Sequence, residues 1–180
     1  LTPVVATIAS FGTLAVGYVV RPLGGVIFGH FGDRIGRKSM LVLTMTLMGA
    51  ASFAIGLLPT FATIGVLAPI LLITLRLIQG FAVGGEWGGA ALMALEHSDV
   101  NKRGFSASFA NMGAPAGAVL STVVLAIVTL LPEDAFLAWG WRIPFLLSAV
   151  LVGIGLYVRL TVTESPLFEQ EVITAVASEK

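Results

Sequence analysis

Hydrophobic residues fill this chain in long blocks, and polar residues gather in short bands between them. A helix needs roughly 20 mostly apolar residues to cross a bilayer's hydrocarbon core. Five blocks meet that demand: about Val4–Phe28, Met40–Leu58, Ile64–Leu95, Phe105–Leu131 and Ile143–Leu160. Each is apolar all round rather than along one stripe, as expected where lipid replaces water outside a bundle. The third is long enough to tilt strongly or to project from the bilayer. Buried helices of a large soluble protein would need five helices of membrane length with almost no charge between their ends. The pattern predicts an all-α integral membrane protein with five transmembrane helices.

Composition agrees. Of 180 residues 57% are hydrophobic and 11% charged, with a mean hydropathy of +0.98. Ordinary soluble domains hold about 45–50% apolar and about 25% charged residues. A formal net charge of zero gives no support to a nucleic-acid partner. The absence of cysteine excludes a disulfide framework and any thiolate metal site. No basic region precedes the first apolar run, so no signal peptide is read, and no initiator Met is present. The expectation is a piece of a longer protein.

The polar bands set an orientation. Band 29–39 holds Arg34, Arg37 and Lys38, and band 96–104 holds Lys102 and Arg103; Pro59–Thr63 and Pro132–Trp141 hold neither Lys nor Arg. Cytoplasmic loops are enriched in Lys and Arg. This places 29–39, 96–104 and 161–180 on the cytoplasmic side, with the first span running outside to inside. Trp139, Trp141 and Tyr157 fall near the ends of the last span, where amphipathic rings favour the interface. After Leu160 the chain turns polar. Thr163 or Ser165 is placed to cap a short helix entered through Pro166, and Glu164, Glu169 and Glu171 mark a linker start.

Three ionisable residues lie inside the spans: Arg21, Arg76 and Glu86. Each needs a partner, a wet cavity or a function, because a charge at bilayer depth costs a few kcal/mol even on lenient scales. Arg21 precedes Pro22, which tends to kink a span; it either snorkels, pairs structurally or serves the cavity. At 100° per residue Arg76, Gln79, Val83 and Glu86 share an arc of ~80°. Gly80, Gly84 and Gly88 form a separate stripe with the small-xxx-small spacing of close helix packing. One face is thus read as polar and the other as a packing seam. Glu86 is the only acidic residue deep in a span, so it is the candidate proton site; a permanent Glu86–Arg pair is the structural alternative.

In the fourth span Ser106, Ala110, Gly113, Gly117 and Ser121 line a small-residue side. Ser108, Asn111 and Thr122 lie opposite with Pro115, and Asn111 is a candidate for hydrogen bonding substrate or another helix. Enzyme chemistry finds no footing. His30 and His97 have no metal-ligand spacing, and "GFAVGGEWGG" lacks the Lys-Ser/Thr ending of a phosphate-binding loop. No metal or cofactor is expected.

The stretch "GHFGDRIGRKSML" resembles the cytoplasmic signature G-x-x-x-D-R-x-G-R-[RK] of major facilitator superfamily transporters. "RPLGG", "RLIQGFAVGGEWGGAA", "WGWRIPFLLS" and "ESPLFEQ" are similar to the metabolite–proton symporter branch, which includes shikimate, α-ketoglutarate, citrate and proline/betaine carriers. The resemblance implies that the five spans are helices two to six of a twelve-helix protein. Residues 1–163 would be a partial N-terminal six-helix bundle without its first helix, and 164–180 the start of the inter-half linker. The first helix and the C-terminal half would be partners supplied by the same protein. The two halves would rock about a midplane site. Asp33 would belong to a conformational latch, with Gly29, Gly32, Arg34, Gly36, Arg37 and Lys38 around it. Arg76 would belong to the proton and substrate region, to which depth in the span, helical phase and side-chain chemistry add Gln79, Glu86, Arg21 and Asn111 as candidates. The implied function is proton-coupled symport of a small organic acid or zwitterion across the cytoplasmic membrane. An uncoupled facilitator and a non-transporting membrane sensor remain the alternatives.

Overall fold

The computed structural model describes residues 3–164 and 170. Its helices are α1 Pro3–Ile35, α2 Arg37–Leu57, the short α3 Phe61–Ile64, α4 Leu67–Glu96, α5 Arg103–Val128, the short α6 Glu133–Ala138 and α7 Ile143–Thr161. Single 3₁₀ turns at Val100–Lys102 and Gly140–Arg142 lead into α5 and α7. Every regular element among the described residues is helical. Five helices are long and apolar enough to cross a membrane, one for each of the five blocks. Of the polar tail, Glu164 and Gln170 are described; Ser165, Pro166, Glu169 and Glu171 lie outside the described residues.

The boundaries differ from the pattern at two glycines. Band 29–39 is not an extended turn: α1 continues through Asp33 and Arg34, and Gly36 alone separates it from α2. Gly36 has φ 108° and ψ 137°, where an L side chain is strained. Its N–H still donates to the Gly32 carbonyl at 3.1 Å, so helical bonding runs to the last residue before the break. At 33 residues α1 is about 50 Å long, well beyond a ~30 Å hydrocarbon core. Polar residues at its end are therefore compatible with helix. The second break is Gly65 at φ 58°, which separates the short α3, formed mostly within the band before the third block, from α4. Pro22 and Pro115 sit inside α1 and α5 without ending either.

The interior is built on close backbone approach. A Cβ on Gly80 would collide with the Gly17 carbonyl, one on Gly84 with the Arg21 carbonyl, and one on Gly24 with the Phe81 carbonyl. Glycine at these positions lets α1 and α4 cross in direct backbone contact. Phe28 packs on Phe81 beside this crossing, with ring centroids 4.9 Å apart. On the other flank α2 meets α7, where Gly49 faces Val152, Gly56 faces Phe145 and Gly155 faces Met45. Of the predicted seams, Gly80 and Gly84 pack as expected, whereas Gly88, Gly113 and Gly117 meet nothing within 4 Å. Large apolar side chains such as Phe11, Trp87 and Tyr157 point outward, the inverse of a water-soluble surface.

Candidate functional site

Two intramembrane arginines converge on one pocket. A cavity of about 220 Å³ opens between α1, α2 and α4, lined by Tyr18, Arg21, Ser52, Arg76, Gln79 and Gly80 among others. The α1–α4 glycine crossing brings Arg21 and Arg76 to it from opposite helices. Arg76 donates from Nη1 to Gln79 Oε1 at 3.1 Å, and Gln79 Nε2 donates to Ser52 Oγ at 2.6 Å. The Ser52 contact from α2 thus fixes which end of the Gln79 amide faces Arg76. Arg21 lies over the Tyr18 ring, 3.9 Å from its centroid. The Nε atoms of both arginines are buried without a hydrogen-bond partner among the described residues. No carboxylate lines the pocket among the described residues. Such a site offers several N–H donors and two positive charges to whatever enters.

Glu86 is elsewhere. Its Oε1 accepts from Arg159 Nη2 at 2.5 Å, and Arg159 Nη1 donates to the Leu41 carbonyl at 2.7 Å. One guanidinium therefore ties α7 to both α4 and α2. Both partners are largely enclosed, with side chains 19% and 18% exposed. The shared helical arc is too wide to place Glu86 with Arg76. Eighty degrees of a helix surface spans two neighbours, one at the arginine pocket and the other α7. Sequence reasoning does not single out Arg159. The unmet need of Glu86 for a cation is the signal that points to it.

The Gly36 end holds a second charged cluster. Arg37 bonds Glu96 of α4 and lies 3.5 Å from Asp33 one helical turn earlier. Lys38 donates its backbone N–H to Glu164 Oε1 at 3.0 Å and its Nζ to the Leu160 carbonyl at 2.9 Å. Arg37 and Lys38 thereby join the ends of α2, α4 and α7, while Asp33 and Arg34 stay exposed on α1. A Cβ on Gly32 would stand 3.7 Å from the Met40 side chain, an ordinary contact, and Gly29 faces open space. Glu96 and Glu164 are the acidic members that the signature alone does not nominate.

Asn111 lies outside the arginine pocket, exposed on α5, donating to its own helix at the Ala107 carbonyl. At the opposite end of the bundle Arg142 donates to the carbonyls of Ala138 and Leu58 and stacks on Trp141. No cluster of metal-ligating side chains occurs among the described residues.

Comparison with known proteins adds the following. The family model described as "Sugar (and other) transporter" matches residues 4–179. The chain is 55% identical over 172 residues to the shikimate transporter of Escherichia coli K12, covering 95% of this chain and 39% of that protein. It is 47% identical over 171 residues to the proline/betaine transporter of Salmonella typhimurium, covering 94% of this chain and 34% of that protein. It thus spans less than two fifths of the length of these relatives, each named as a transporter and not an enzyme. Among solved structures it superposes on the major facilitator superfamily proton:xylose symporter XylE with a TM-score of 0.81. There the identity is 20%, and the match covers 93% of this chain and 38% of that one. That likeness establishes the fold.

Proposed function

The chain belongs to the sugar (and other) transporter family and has the major facilitator fold, and on that premise we propose that the full-length protein is a proton-coupled symporter of a small organic acid or zwitterion. The observation that carries the reading is the pocket between α1, α2 and α4, which Arg21 and Arg76 both line and no carboxylate does among the described residues. Two half-buried cations within the spans are costly unless they are paired or serve a function. A carboxylate entering the pocket would meet both guanidiniums and could form charge-assisted hydrogen bonds with them.

The five spans take the places of helices two to six. The first helix and the opposing half belong to parts of the protein beyond this chain, and the halves rock about the pocket. Arg34, Arg37, Lys38, Lys102 and Arg103 gather at the Gly36 end, which we assign to the cytoplasm; Arg142 stands at the other end. Asp33, exposed at the cytoplasmic face, is the latch residue that engages the opposing half. Glu86 is the proton carrier: protonation would cancel its pairing with Arg159 and free α7 from α4, changing the relative stability of the two facing states.

Uptake by proteoliposomes of full-length protein, with and without an inward proton gradient, tests this. Accumulation that follows the gradient supports symport. Equilibration that ignores it favours an uncoupled facilitator.

A further inference from the structure

The contacts of α4 with α1 are made at the main chain, whereas its contacts with α2 and α7 are made by side-chain ends. We propose that these four helices move as two bodies, α1 with α4 and α2 with α7, and that Arg159 is the positioning residue that couples Glu86 to the arginine pocket across the line between them. This rests on the transporter reading with Glu86 as proton carrier, and it states how a change there reaches the cargo.

Each body is closed by interlocking surfaces. Between α1 and α4, Gly80 meets the Gly17 carbonyl, Gly84 the Arg21 carbonyl and Gly24 the Phe81 carbonyl, with no room for a methyl group. Between α2 and α7, Gly49 receives Val152 and Gly56 receives Phe145, both close to the backbone. The second body is also tied at its two ends. Arg142 donates to the Leu58 carbonyl at one; at the other Lys38 Nζ donates to the Leu160 carbonyl and Arg159 Nη1 to the Leu41 carbonyl. Surfaces keyed in this way do not deform gradually, so each pair shifts as a unit.

Across the line the contacts are of another kind. A Cβ on Gly89 of α4 would meet the terminal methyl of Leu41, the far end of a flexible side chain. The polar ties are Gln79 with Ser52 at 2.6 Å, Glu86 with Arg159 at 2.5 Å, and Glu96 with Arg37. Such ties can be exchanged while both backbone seams stay closed. The Glu96 tie stands beside Gly36, where α1 runs into α2, so the bodies remain joined at that end. Along α4, Glu86 lies about 15 Å from Glu96 and Gln79 about 25 Å. A small rotation about the Gly36 end is therefore larger at Gln79 than at Glu86.

Arg159 belongs to one body and reaches the other. Nη1 holds it to α2 at Leu41, and Nη2 reaches α4 through Glu86. Neutral Glu86 loses the charge-assisted bond, while the bond to Leu41 is unaffected. The α2–α7 body is then released as a whole. With it go Met48 and Ser52, the α2 wall of the arginine pocket, and Ser52 leaves Gln79. The other charged groups around this end have contacts of their own: Arg37 with Glu96 and Asp33, Lys38 with Leu160, His97 with the Met93 carbonyl, and Arg21 over Tyr18. Arg103, at the start of α5, is exposed.

The test uses full-length protein with pairs of spin labels at outward-facing positions: Val19 on α1, Ile70 on α4, Leu43 on α2 and Ile154 on α7. In Glu86→Gln the distances across the line, Val19 to Leu43 and Ile70 to Ile154, should shift by about 2 Å or more from those of the labelled parent. The distances within the bodies, Val19 to Ile70 and Leu43 to Ile154, should not shift. Glu86→Gln/Arg159→Met, which leaves no carboxylate unpaired, should reproduce the shift without adding to it, and Arg159→Lys, which keeps a cation for Glu86, should hold the parent distances. Equal shifts within and across the bodies, or no shift across them in folded Glu86→Gln protein, would overturn the inference. A shift in Arg159→Lys as large as in the double variant would overturn the role given to Arg159. Uptake by proteoliposomes of the same proteins separates the two readings. Gradient-driven accumulation that survives in Glu86→Gln while the distances shift sinks the proton assignment and leaves the two bodies; accumulation lost with no shift does the reverse.

Discussion

Glu86 of α4 and Arg159 of α7 meet at 2.5 Å, and the same guanidinium reaches the Leu41 carbonyl of α2. Three spans are thereby held by one side chain. Removing only Arg159 leaves an enclosed carboxylate unpaired, so Arg159→Leu should destabilise the protein by about 3–5 kcal/mol. The double variant Glu86→Leu/Arg159→Leu should recover most of that loss. Thermal unfolding of the four members of this cycle measures the coupling; additive losses would show that the pair contributes nothing.

Glu86→Gln keeps the shape of the side chain and removes its charge. If the proton is carried there, gradient-driven accumulation disappears while substrate counterflow continues. Accumulation equal to wild type would assign the proton elsewhere and leave the pair a structural tie.

The α1–α4 crossing has no room for side chains at Gly24, Gly80 and Gly84. Gly80→Ala and Gly84→Ala each drive a methyl group into the opposing backbone and should cost about 1–3 kcal/mol. Gly88→Ala, four residues along in open space, should be neutral or stabilising by up to about 1 kcal/mol through its helix propensity. Equal effects at all three positions would contradict the packing described.

Gln79 positions Arg76, and Ser52 positions Gln79. Ser52→Ala should weaken substrate affinity about three- to tenfold, the value of one hydrogen bond, with little change in maximal rate or thermal stability. Gln79→Leu should do more, since it frees Arg76 directly. Concentration dependence of uptake separates the two parameters, and a fall in rate at unchanged affinity would remove Gln79 from the site.

Asp33 is 70% exposed and lies 3.5 Å from Arg37, a surface pair that adds under about 1 kcal/mol. Asp33→Asn should therefore leave the unfolding temperature unchanged. As a latch variant it should slow transport cycling while keeping affinity within a few-fold. Normal cycling rates would dismiss the latch.

The spans are legible because lipid imposes one demand on composition that needs no knowledge of neighbours. Helix ends are less so. The charges of band 29–39 read as a loop, yet a helix that outgrows the hydrocarbon can keep its form in polar surroundings, and Gly36 alone supplies the break. Arg76, Gln79 and Val83 of one helical arc line one cavity together with Gly80 of the neighbouring stripe, and phase does not say which neighbour each part of the arc will meet. Ser52 and Arg159 are hidden for the same reason: each acts across helices, and linear spacing does not encode lateral order. Asn111 has the chemistry of a ligand contact, but the described helices give it no place in the arginine pocket.

The bare backbone crossing of α1 on α4 also bears on the order in which the protein is made. Residues 36–66, including all of α2, separate the two helices in the chain. Of these two, α1 leaves the ribosome first and waits, with Arg21 already in the bilayer, until α4 has followed. Its contact with α4 combines main-chain approach at Gly80 and Gly84 with the packing of Phe28 on Phe81, and both form only once α4 is present. The seam between α1 and α4 therefore closes only when Gly80 and Gly84 arrive.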